Sequence, residues 1–106
     1  MGTNYYAKFN ICEHCNRYEK IHIGKSSAGW PFLFRKYIDR ELENIQQWIA
    51  FLNKEDVFII DEYGTPITFD VFIMKVWNKN LSKKQKLADG AELDQYGFHF
   101  LGREFC

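Results

Sequence analysis

Between Thr3 and Phe9 the side chains alternate, Tyr5, Ala7 and Phe9 against Asn4, Tyr6 and Lys8, which is the two-residue period of a strand with one buried face. Lys20 to Gly24 reads as a short second strand, and Lys25 to Gly29, with two serines and a glycine, as a tight connection. A third strand follows, with Trp30, Phe32, Phe34 and Lys36 on one face and Leu33, Arg35 and Tyr37 on the other. The three together predict an antiparallel meander. Asp39 is a good N-cap, and Leu42, Ile45, Ile49 and Leu52, widened by Trp48, recur at helical spacing over Arg40 to Asn53. Val57 to Ile60 is β-branched and aromatic and is followed by a turn from Asp61 to Pro66. Thr68 then caps a second helix, with Ile67 and Phe72 placed as a hydrophobic staple and Phe69, Phe72, Ile73, Val76 and Trp77 as its apolar face. Phe98 and Phe100, alternating with His99 between Tyr96 and Phe105, suggest a final strand. The fold class expected is α+β, one domain over residues 1–106: a small antiparallel sheet with two helices packed on one face.

Composition narrows the class without naming a target. The chain is 106 residues long and 46% hydrophobic, with 19 aromatic residues, enough to fill one core and too apolar for intrinsic disorder. No apolar run approaches the ~20 residues of a membrane span, and the first residues lack the basic and apolar regions of a signal peptide, so a cytoplasmic protein is expected. The formal net charge is zero, yet the charge is segregated. Residues 1–38 carry six basic and two acidic groups, 39–70 two basic and eight acidic, and 71–86 five basic and none acidic. Two candidate contact surfaces follow: the acidic stretch with Glu41 and Glu43, suited to a basic partner, and the lysine segment Lys75, Lys79, Lys83, Lys84 and Lys86, suited to phosphates or an acidic surface.

Three cysteines are too few for a disulfide scaffold. Cys12 and Cys15 stand at C-x2-C spacing, which in a reducing compartment points to Zn2+ held by two thiolates on one turn with further ligands from neighbouring strands. His22 is the expected third ligand; His99, Cys106 and His14, in that order, are candidates for the fourth. A redox role would want the first cysteine at a helix N-terminus in a βαβ setting, and Cys12 is followed by turn and strand. Gly24-Lys25-Ser26 resembles the end of a phosphate-binding loop, but Glu19 stands where that loop needs glycine. The proline and paired glutamate of a zinc deaminase are absent, and no nucleophile, base and acid stand out, so no enzyme activity or small-molecule substrate is expected. Tyr5, Tyr6, Trp30, Phe32 and Phe34 beside Lys8, Lys25 and Arg35 keep RNA binding open.

Met1-Gly2-Thr3-Asn4-Tyr5-Tyr6, the Cys12 and Cys15 pair, His22-Ile23-Gly24-Lys25-Ser26-Ser27-Ala28-Gly29-Trp30 and Asp61-Glu62-Tyr63-Gly64 together resemble a family of short phage and prophage proteins. The resemblance is strongest over the first 38 residues and fades after Asn80. It implies a phage origin, zinc binding by the Cys and His pattern, and no catalytic residues. By analogy it implies a binding protein that inhibits a host defence system, such as an RNA-guided CRISPR nuclease, by occupying protein or guide-RNA surface. A small zinc-stabilised RNA-binding module is the alternative.

Overall fold

The computed structural model describes residues 2–27, 32–83, 91–94 and 97–102, with side chains in the long second helix described as far as residue 78. Two long strands form its centre. β1 (Gly2–Phe9) and β2 (Glu19–Ser27) pair antiparallel along their whole length. β4 (Phe58–Asp61) adds to the free edge of β1, and β5 (Pro66–Ile67) to β4. On the other side β2 pairs β3 (Leu33–Arg35), β3 pairs β7 (His99–Leu101), and β7 pairs β6 (Glu92–Leu93). The result is a seven-stranded sheet in the order β5-β4-β1-β2-β3-β7-β6.

The α+β class and the two helices therefore stand, but the sheet is larger than expected and mixed, because β7 runs parallel to β3. A parallel neighbour needs a long crossover, and here the crossover holds both helices and the β4–β5 hairpin. β5 and β6 have two residues each, too few to leave an alternation in the sequence. Pro66 suits its position in an edge strand, where a missing N–H costs no ladder bond.

Tyr5, Ala7 and Phe9 of β1, Ile21 and Ile23 of β2, Phe34 of β3, Ile59 of β4 and Phe100 of β7 are buried in one core. Both helices pack on this face. α1 (Ile45–Leu52) inserts Trp48, whose ring centroid lies 6.2 Å from that of Phe34 and whose Nε1–H donates to the Arg35 carbonyl at 3.1 Å. α2 (Phe69–Lys83) sets Phe72 edge-on to Tyr5 and Phe32, and Trp77 against Phe98. Thr68 caps it as expected, its Oγ1 accepting from the Val71 N–H at 3.3 Å.

The first helix starts later than its apolar spacing suggests. Ile38–Arg40 is a single 3-10 turn, Glu41 has a left-handed backbone (φ 56°), and Tyr37 and Leu42 form an isolated bridge. The true N-cap is Asn44, whose Oδ1 accepts from the Gln47 N–H at 2.9 Å, while Gln47 Oε1 accepts from the Glu43 N–H. Asp94 reinforces this end: one carboxylate oxygen accepts from the Ile45 N–H and the other from the Phe98 N–H, both at 2.8 Å, tying α1 to the β6–β7 turn. Asp39, Glu41 and Glu43 thus lie in an exposed lead-in rather than on an acidic helix face.

β2 contains a bulge. Tyr5 faces Gly24 while Tyr6 faces His22, so Ile23 is an extra residue, fully buried. Gly24 lies so close to the Leu33 carbonyl and the Phe32 ring that a Cβ there would overlap both. Gly24→Ala is expected to destabilise by about 1–3 kcal/mol through forced separation of β2 and β3. Trp48→Ala, at a side chain with no exposed surface, is expected to cost about 3–5 kcal/mol. Urea denaturation of both variants checks this; an unshifted midpoint for Gly24→Ala would mean that β3 is not held against Gly24.

Candidate functional site

The helices leave the opposite face of the sheet to other side chains. Cross-strand register groups Phe58, Lys8 and Lys20 in one row and Ile60, Tyr6 and His22 in the next. The bulge changes the alternation of β2, so that Lys25, paired with Asn4, shares this face with His22, and Gly24 turns to the core side. Leu33 and Arg35 extend the face along β3, alternating with buried Phe34. Among the described residues, no helix or strand packs over the β4–β1–β2 part of this face, where Phe58 is half exposed.

Its side chains form an ordered set. The Tyr6 and His22 ring centroids lie 5.2 Å apart with 36° between their planes. The Lys20 ammonium lies 4.7 Å from the Tyr6 centroid, that of Lys8 4.4 Å from the centroid of Tyr18, and the Arg35 guanidinium 4.8 Å from that of Tyr37. His22 Nε2 meets Asn4 Oδ1 at 2.9 Å. The Asn4 side-chain amide is turned toward Glu62 Oε1 at 3.5 Å, and the same oxygen accepts from the Asn4 N–H at 2.7 Å, so Asn4 offers its carbonyl to His22 and Nε2 carries the proton. The His22 backbone N–H donates to the Tyr37 hydroxyl at 3.1 Å where β3 has turned away. Glu62, Asn4 and Tyr37 thus fix the histidine on the sheet. Asn4 and Tyr37 lie 18 and 15 residues from His22, and Glu62 lies 58 residues from Asn4, so no local pattern announces them.

The expected zinc ligands are dispersed. Cys12 and Cys15 sit in the loop joining β1 to β2, beyond the Phe9–Glu19 pair, whereas His22 is three residues down β2 and engaged with Asn4 and Tyr6. His99 is buried in β7, on the far side of β3. Cys106 lies outside the described residues, and among those residues no three His, Cys, Asp or Glu side chains converge as a metal cluster. The cysteines themselves are close, and His14 is exposed between them.

The loop is built around Cys12. Its N–H donates to the Arg17 carbonyl and its carbonyl accepts from the Asn16 N–H, each at 2.8 Å, and Asn16 takes the left-handed conformation (φ 57°) that the turn requires. The neighbouring Cys15 side chain first, then the backbone of Cys15 and His14, against a weaker opposing effect of burial, draw the Cys12 thiol below the ordinary thiol range.

Of the lysine segment, Lys75 lies on the helical side of the sheet, its ammonium 3.4 Å from the Tyr5 hydroxyl. Lys79 and Lys83 belong to α2, but their side chains lie outside the described residues, as do Lys84 and Lys86 altogether. A small apolar cavity of about 150 Å³ lies at the β5 edge between Leu52, Val57, Ile67 and Phe69, with no titratable side chain in its wall. No helix is long and apolar enough to cross a membrane among the described residues.

Alkylation of the reduced protein should modify Cys12 with a pH midpoint below that of an ordinary thiol. Cys15→Ala should move the midpoint up, because the Cys15 side chain is the main influence lowering it; mass spectrometry of the modified peptide reads both, and equal midpoints would contradict the loop geometry.

No family model matches this chain, and neither a curated protein nor a solved structure shows significant similarity to it.

Proposed function

We propose that this is a non-catalytic binding protein whose uncovered sheet face takes single-stranded RNA. In the phage setting implied by the resemblance, it inhibits an RNA-guided nuclease of the host by covering guide RNA in the cytoplasm. The observation that carries this reading is the combination, on one face, of Lys8, Lys20, Lys25 and Arg35 with Tyr6, His22 and Tyr18. Cations that track phosphates, interleaved with rings on which bases stack, are what a single strand requires. The lysines that now cover Tyr6 and Tyr18 would swing to phosphates as bases take their places, exchanging one cation–ring contact for a charge pair and a stack.

This places the RNA surface opposite α2 and Lys75, so the sheet face and the lysine segment are separable by mutation. Lys8→Glu with Lys20→Glu is expected to weaken binding of a fluorescent single-stranded RNA at least tenfold and to flatten its dependence on salt, since each lost phosphate contact removes roughly 0.7 from the log–log slope. Tyr18→Ala, at an exposed ring, is expected to raise Kd by about 5- to 150-fold, the ~1–3 kcal/mol of one stacked base. Lys83→Glu with Lys84→Glu should leave affinity near the parent value. Fluorescence anisotropy decides: absent RNA binding, or loss only in the Lys83 and Lys84 variant, sinks the sheet-face reading.

A further inference from the structure

α2 is apolar on two sides. Phe72 and Val76 are buried against the sheet, and Phe69 and Ile73 pack beside them, yet Val71, Met74 and Trp77 remain 51%, 65% and 50% exposed. Together they leave on the order of 300 Å² of apolar surface in water, the size at which a patch on a lone protein often has a function. Their positions are ordered. Val71, Met74 and Asn78 follow one another at steps of three and four residues, a single stripe at helical periodicity nearly opposite Phe72 and Val76. Written as a heptad with Val71 at position a, Met74 falls at d and Asn78 at the next a, while Phe72, Ile73 and Val76, which rest on the sheet, occupy b, c and f. Asp70 then stands at g and Lys75 at e, the two positions that flank such a stripe, and both are exposed.

We infer that two copies of this chain pair α2 against α2, parallel and about a two-fold axis, with Val71, Met74 and Asn78 of each copy meeting their own counterparts. Charge complementarity selects both the occupant and its direction. In a parallel pair each g residue faces the e residue of the following heptad on the other helix, which brings Asp70 of each copy to Lys75 of the other, two ion pairs by symmetry. The Lys75 ammonium, 3.4 Å from the Tyr5 hydroxyl in the single chain, exchanges that contact for a carboxylate. Parallel pairing also sets Asn78 amide to amide, the use of a lone asparagine at an a position that fixes register and the number of chains. Antiparallel pairing would set Asn78 against Met74 and Lys75 against Lys75, an amide facing sulfur and like charges facing each other. The contact lies at the low end of specific interfaces, so association is reversible and in the micromolar range. It costs no helix nucleation, because α2 is already formed on its sheet. The face with Tyr6 and His22 is on the other side of the sheet and stays open in each copy, so the inference does not depend on what that face binds.

The test is sedimentation equilibrium of the full-length protein in reducing buffer, from low micromolar to the highest soluble concentration. A reversible equilibrium between monomer and dimer is expected. Met74→Glu, at the most exposed position of the stripe, should weaken it by about a hundredfold or more by setting two carboxylates across the axis, with the thermal melt of the dilute protein unchanged. Asp70→Lys should weaken it about tenfold, and Asp70→Lys together with Lys75→Asp should restore it, since both ion pairs are then reversed. Direction is read from Met74→Cys in a chain that also carries Cys12→Ser, Cys15→Ser and Cys106→Ser: mild oxidation should give a covalent dimer, because d residues meet their counterparts in parallel helices. A chain that stays monomeric at the highest concentration, a dimer indifferent to Met74→Glu, a charge reversal that fails to restore pairing, or a Met74→Cys chain that does not cross-link would overturn the paired helices.

Discussion

The sheet can present a dry face and a charged face only because β2 contains one residue more than β1 opposite it. In a regular strand His22 and Gly24 would lie on one side and Ile23 on the other, and Lys25 would point toward the helices. The extra residue sets Ile23 and Gly24 one after the other on the core side and returns Lys25 to the side of Tyr6 and His22. A lysine among Phe32, Phe34 and Phe72 would lose its hydration without a partner, a cost of several kcal/mol. Gly24 is the other half of the device: at the point where parity changes, β3 approaches so closely that only a residue without a side chain fits. Bulge and glycine together decide which residues are core and which are available.

Those two faces are held by different chemistry. On the helical side, rings pack at angles: Phe34 stacks on Phe100, and Trp48, Phe51 and Phe9 meet nearly edge to face. Aromatic residues suit a domain of this size because few side chains must be fixed to bury much surface. On the uncovered side the rings are half solvated and their partners are cations and amides, contacts individually worth about 1 kcal/mol or less. A face organised this weakly can change its contacts without disturbing the core behind it, which is what a binding surface built from strands requires.

Much of this was legible in the chain. Alternation in Thr3–Phe9 and around Phe32 and Phe34 marks the right core residues because period two has no other cheap solution, and the Thr68 cap with its apolar face locates α2. The first helix was misplaced because Leu42 continues the helical spacing while actually belonging to a bridge with Tyr37; the better signal was Asn44 with Gln47 three residues on. The bulge left no mark, since Ile21-His22-Ile23 alternates like any strand. Among candidate site residues, the C-x2-C spacing does put Cys12 and Cys15 close together on one loop, but the structure does not bring the expected histidines beside them. His22 and His99 are held by partners distant in sequence, Asn4 and the β3 edge, and a ligand set assembled by tertiary structure cannot be read from spacing that is only local.

The parallel pairing of β3 with β7 joins Leu33 to His99, and that separation has a meaning for the order in which the chain folds. The central hairpin closes a short loop and can form as soon as it exists, whereas the outer edge of β3 waits for a strand made more than sixty residues later. During ribosomal synthesis a growing chain would hold Phe34 with one flank bare, its backbone donors and acceptors open to any passing strand. Arg35 and Lys36 stand at that edge, and charge beside an open strand edge works against pairing with a second chain.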